Sequence, residues 1–214
     1  MNVVINLNNV TKNLEKFSTR NVNIIAVSKT FPLNIIKPLI DFGHVHFGEN
    51  RIKEALDKWS DIISRDLKIQ LHLIGSLQSN KVRDALKIFS YIHSLDSMKL
   101  AEKLSIEQEK MQKNVKYFIQ VNFENEKQKG GIFENEIKDF LNFCKIEKKL
   151  NVIGLMCIPP VDKPPEIYFK KLQFLAKTNN LSELSMGMSG DYLKAIDFGS
   201  SFIRIGSLIF GDRK

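Results

Sequence analysis

Short β-rich runs alternate with longer amphipathic ones along nearly the whole chain, and no other feature limits the possible folds as sharply. The strand candidates are 23–28 (NIIAVS), 44–48 (HVHFG), 69–75 (IQLHLIG) and 91–95 (YIHSL). Four more follow at 115–123 (VKYFIQVNF), 151–156 (NVIGLM), 181–186 (LSELSM) and 201–206 (SFIRIG). Several are apolar at consecutive positions, as suits strands covered on both faces. Between them the apolar spacing predicts helices. In 50–65, Ile52, Leu56, Trp59 and Ile63 recur at intervals of three and four. The others fall at 34–42, 97–112 (with Asp96 or Ser97 as cap), 135–148 and 165–178, and a further one at 6–17 precedes the first strand. Eight strands separated by helices is the count of a (β/α)8 TIM-like barrel, an α/β fold. Alternation alone leaves an open, doubly wound sheet as the alternative. No linker interrupts the pattern, which predicts one domain over 1–214. Four of the six prolines lie in IPPVDKPPE (158–166), read as the loop after the sixth strand.

A chain of 214 residues, 43% hydrophobic and 26% charged, has enough material for one such core. No run approaches the roughly 18 to 20 apolar residues of a membrane helix, and the start lacks a secretory signal pattern. Cys144 and Cys157 sit in apolar contexts and read as buried thiols rather than a disulfide framework. A cytoplasmic protein without membrane contact is expected. The formal charge of +8 comes from lysines spread along the chain and interleaved with acids, as in AEKLSIEQEKMQK. That is a solvated surface rather than a nucleic-acid footprint, though it favours small phosphorylated ligands.

Three places carry potential chemistry. Lys29 ends the first strand in IIAVSKT, which puts it at the mouth of a barrel, where such folds place active sites. An amine flanked by an apolar strand is partly desolvated, which favours its neutral, nucleophilic form. The motif alone better describes a lysine that caps a strand and points to solvent. LSMGMSGD (184–191) follows the seventh strand, and RIGS (204–207) closes the eighth. Barrels often bind phosphate with these two loops, through backbone N–H groups and hydroxyls such as those of Ser189 and Ser207. A lysine at strand one with two such loops suggests a ligand bearing both an aldehyde and a phosphate. The histidines offer a competing reading, since His44 and His46 share a strand face and His72 and His93 lie on other strands. No carboxylate set accompanies them, and His44 starts its strand away from the mouth, so no metal centre is expected.

The chain resembles the pyridoxal phosphate homeostasis protein family, whose barrel is similar to the N-terminal domain of alanine racemase. The matching blocks are AVSKT (26–30), FGENR (47–51), HLIGSLQSNKVR (72–83) and IHSLD (92–96), then QVN (120–122), GLMCIPP (154–160), LSMGMSGD and IRIGSLIFG (203–211). They run in order over essentially the whole chain. The resemblance implies pyridoxal 5′-phosphate as cofactor, held as an imine by Lys29. It implies that Arg204 faces the pyridine nitrogen, that Ser189, Gly206 and Ser207 contact the phosphate, and that Asn50 lies near the cofactor. Ser76 stands where the family often has proline or histidine, and Ser207 where threonine is frequent, which keeps the hydroxyl. The IGSLQSNK block has no role derivable from sequence: Asn80 and Lys81 either meet a ligand or start a helix.

An arginine at the ring nitrogen donates to it and cannot protonate it, so the cofactor would be a weak electron sink. The chain also ends directly after the eighth strand, without the second domain that supplies a racemase's other acid/base. A monomeric, non-catalytic carrier that buffers pyridoxal phosphate and delivers it to apo-enzymes is therefore expected. An amino-acid racemase or lyase is the alternative, and a nucleic-acid or protein-binding barrel a third reading motivated by charge alone.

Overall fold

A computed structural model describes residues 2–65, 68–124 and 130–212. Its nine strands are β1 (Asn23–Val27), β2 (His46–Glu49), β3 (Gln70–Leu73), β4 (Tyr91–Leu95), β5 (Lys116–Asn122), β6 (Ile132–Phe133), β7 (Asn151–Met156), β8 (Glu183–Met188) and β9 (Phe202–Ile205). All pair in parallel, in the order β4-β3-β2-β1-β9-β8-β7-β5, and a further β4–β5 pairing closes the ring. Eight strands thus form a closed barrel, and the open sheet is excluded. The two-residue β6 hangs on the edge of β5, outside the ring.

The helices are α1 (Val3–Phe17), α2 (Leu33–Asp41), α3 (Ile52–Arg65), α4 (Val82–Ile88), α5 (Met98–Lys110), α6 (Ile137–Asn142), α7 (Pro165–Thr178), α8 (Tyr192–Asp197) and α9 (Ser207–Phe210). Three of their starts follow ordinary capping chemistry. The Asn2 side chain accepts from the N–H groups of Val4 and Ile5 at the head of α1. The Ser97 hydroxyl accepts from the Leu100 N–H at the head of α5, as expected of that cap. Pro165 opens α7, where no N–H is needed.

Two hydrophobic layers result. The larger lies between the strands and the surrounding helices and includes Phe47, Trp59, Leu71, Leu104, Phe140, Phe169 and Leu172. The smaller fills the barrel lumen with Ile25, Tyr91, Phe118, Met156 and Phe202. Alternate residues of one strand serve the two layers, as the two-residue strand period requires. Cys144 and Cys157 are buried free thiols, and burial pushes the pKa of each up to about 12.

The structure departs from the sequence reading in its short elements. Strand 181–186 is displaced to Glu183–Met188, and the segment from His44 enters its strand only at His46. The helix expected over 135–148 divides into a 3-10 turn, α6 and a π-helical turn at 143–147. Asn80 and Lys81 belong to a 3-10 turn that runs into α4, so that segment starts a helix. Helices α4, α8 and α9 and strand β6 add to the elements that the spacing predicts. Among the described residues, no helix is long and apolar enough to cross a membrane.

Candidate functional site

The C-terminal ends of β1, β2, β8 and β9 surround a cavity of about 600 Å³. Lys29, Asn50, Ser189, Arg204, Gly206 and Ser207 all line it, with Phe31, Ile74, Ile158 and Met188 among its apolar walls. The six residues that the resemblance singles out therefore share one surface.

Lys29 is set by its neighbours in the chain. The Ser28 N–H donates to the Gly48 carbonyl (3.0 Å) and its hydroxyl to Glu49 Oε1 (2.7 Å). Lys58 Nζ donates to the Ser28 carbonyl (3.0 Å), to Glu49 Oε1 (3.0 Å) and to Glu54 Oε1 (3.1 Å). The Trp59 indole N–H completes the set on Glu49 at 2.9 Å. On the other side of Lys29, the Thr30 N–H donates to Glu54 Oε1 at 2.6 Å, and Thr30 has φ 69°. A β-branched residue seldom adopts that conformation, so the bond to Glu54 and the clamp on Ser28 hold a strained turn. The Thr30 and Lys58 bonds keep the Glu54 carboxyl below its usual range against the opposing effect of burial. Sequence reasoning missed this bracket, although Glu49 and Glu54 lie within or just after the FGENR block.

The opposite wall is built from β8 and β9. Gly187 has φ 91° in the bulged stretch between Ser185 and Met188, and a Cβ there would lie 2.7 Å from the Ala195 methyl. This kink delivers Ser189 to the mouth. Its Oγ accepts from the N–H groups of Gly206 (3.3 Å) and Leu208 (3.5 Å), tying the two glycine- and serine-bearing loops together. Phe31 stacks on Phe210 with ring centroids 4.9 Å apart, joining the Lys29 loop to α9.

Arg204 is buried, and three hydrogen bonds fix its terminal nitrogens. Nη1 donates to the Ser185 carbonyl (2.8 Å) and hydroxyl (2.7 Å), and Nη2 to the Cys157 carbonyl (3.0 Å). Among the described residues Nε makes no hydrogen bond, so its N–H is available to a cavity ligand. Burial lowers the guanidinium's pKa, with Cys157 and Asp191 opposing; the group nonetheless stays a cation and a pure donor. The site thus offers an amine on one wall, a pure donor cation on another, and serine hydroxyls with backbone N–H groups at a tight turn.

Fold and site together define a barrel of the alanine racemase N-terminal domain type, and residues 5–214 match the model of that family. A protein of Synechocystis sp. named pyridoxal phosphate homeostasis protein is 38% identical, over 90% of this chain and 92% of its own length. Its namesake in Aquifex aeolicus is 36% identical, over 89% and 87%. The solved structure of PipY from Synechococcus elongatus with PLP bound superposes with a TM-score of 0.85 at 31% identity, covering 98% of this chain and all of that one. Alanine racemase from Acinetobacter baumannii shares the fold at 17% identity, with a TM-score of 0.75, over 99% of this chain and 61% of its own. The chain belongs to the pyridoxal phosphate homeostasis protein family.

Proposed function

We propose that this chain holds pyridoxal 5′-phosphate in the cavity between Lys29 and Arg204, and serves as a reservoir for the cofactor rather than as a catalyst. The observation that carries the reading is the presence of Lys29 and Arg204 on one cavity with the Ser189, Gly206 and Ser207 turn. Lys29 would hold the cofactor covalently by condensing with its aldehyde, one water leaving. The Ser189 and Ser207 hydroxyls and the turn at Gly206 suit the phosphate. Asn50 lines the same cavity, and Arg204 would donate to the ring nitrogen.

Bound pyridoxal phosphate supplies an electron-withdrawing ring, strongest when its nitrogen is protonated. The Arg204 guanidinium holds on to its protons, so it would leave that nitrogen neutral. Among the described residues, the titratable side chains on the cavity are Lys29, Arg204 and Asp212, and Asp212 is exposed at the rim. This set suits holding and release better than stereospecific proton transfer. The same reading makes the protein a cytoplasmic monomer that hands cofactor to apo-enzymes.

The test is solvent-deuterium incorporation at the α-carbon of amino acids by cofactor-loaded protein. A reservoir shows none above that of free pyridoxal phosphate. Lys29-dependent incorporation would make it a racemase or lyase instead.

A further inference from the structure

Three of the chain's four histidines lie on one hydrogen-bonded side-chain path that ends at Arg204, and the fourth, His44, meets the His46 backbone carbonyl with Nε2. His46 Nδ1 is 3.0 Å from His72 Nε2, His72 Nδ1 is 2.9 Å from His93 Nε2, and His93 Nδ1 is 2.8 Å from Ser185 Oγ. Ser185 Oγ in turn accepts from Arg204 Nη1. These side chains come from β2, β3, β4, β8 and β9, so the path crosses the lumen to the cofactor cavity. Aromatic rings wall it: Tyr91 stacks on His72 (4.2 Å between centroids) and Phe118 on His93 (4.4 Å). His72 and His93 are fully buried.

The direction of every bond follows from its inner end. Arg204 can only donate, so Ser185 Oγ accepts from it. The one hydroxyl proton of Ser185 then has His93 Nδ1 as its acceptor among the described residues. That makes His93 the Nε2–H tautomer, donating to His72 Nδ1. His72 becomes Nε2–H in turn and donates to His46 Nδ1. The reverse polarity would strand the Ser185 proton in a dry lumen, at a cost larger than the gain from a typical bond.

We propose that His93, His72 and His46 are positioning residues for Arg204, a column of neutral Nε2–H imidazoles that fixes the guanidinium through Ser185. The polarity argument needs no cofactor; only the consequence for ligand hold rests on the function proposed above. The charged and titratable groups facing the column are His44, Lys116 and the Lys116-bonded Tyr91 toward its outer end and Arg204 at its inner end. None is a carboxylate, so an imidazolium inside would be uncompensated.

The test begins with 15N-labelled, cofactor-free protein. Long-range 1H–15N spectra at neutral pH should show His46, His72 and His93 neutral and Nε2-protonated. An Nδ1–H tautomer or a cation at any of the three overturns the proposal. His93→Leu should speed exchange of the Arg204 Nη1 protons by about fivefold, the value of one ordinary hydrogen bond. His93→Gln, which can accept from Ser185 and donate to His72, should restore most of the protection. Unchanged exchange in folded His93→Leu also overturns it. With pyridoxal phosphate added, His93→Leu should release cofactor faster than wild type by a similar factor. Failure of wild type to bind cofactor would sink the proposed function and leave the column to be judged by the cofactor-free spectra.

Discussion

At the scale of single residues, the lysine is held by groups that never reach the cavity. Glu49 is fully buried and receives Ser28, Lys58 and Trp59 on one oxygen. Lys58→Met removes the cation and leaves that carboxylate with two neutral donors. It should lower stability by about 3 kcal/mol in urea unfolding, the low end for breaking a buried pair. The histidine column makes a second prediction. Burial, then His44 and Lys116, lower His46 to about 4; burial holds His72 and His93 well below 6.5, with the neighbouring histidines adding at His72 and Arg204 at His93. Their folded pKa values lie under the unfolded value, so the unfolded chain binds more protons as pH falls. Stability should therefore decline from about pH 6.5 downward, before the carboxylates near pH 4.5 contribute. His72→Asn should flatten that limb of a denaturation-versus-pH curve.

At the scale of elements, the long periodic segments are legible in the sequence and the short ones are not. Helix 165–178 is legible to the residue because Phe169, Leu172 and Leu175 repeat over a full stripe and a proline marks its start. Helices α4, α8 and α9 have at most seven residues, too few turns to show a period. Strand β8 starts later than the pattern suggests because Leu181 packs inward from the approach to the strand, mimicking its first residue. Six of the residues on the cavity are legible, through motif resemblance joined to the loop positions of a barrel. The bracket behind Lys29 and the histidine column are not, because both arise from contacts between strands. The one signal for the column is a histidine in each of three successive strands. Gly75, in the IGSLQSNK block, gains a role here: a Cβ on it would stand 2.3 Å from the Asn50 carbonyl oxygen. Gly75→Ala should cost about 2 kcal/mol by overpacking, and should displace Asn50 from the cavity wall. Thermal unfolding checks the first part and cofactor affinity the second.

At the scale of the molecule, a closed parallel barrel gathers the ends of β1, β2, β8 and β9 at one mouth, though they are far apart in sequence. The excess of +8 favours approach of a phosphorylated ligand. A ligand bound only by the folded chain stabilises it, by about 2.7 kcal/mol at a hundredfold excess over Kd. Pyridoxal phosphate should therefore raise the melting temperature of wild type, and raise that of Lys29→Ala much less. The central claim is tested most directly by borohydride reduction of protein loaded with pyridoxal phosphate, followed by peptide mass mapping. The account predicts a single reduced adduct on the peptide containing Lys29, lost in Lys29→Ala. No adduct, or one distributed over surface lysines with Lys29 unmodified, would contradict it.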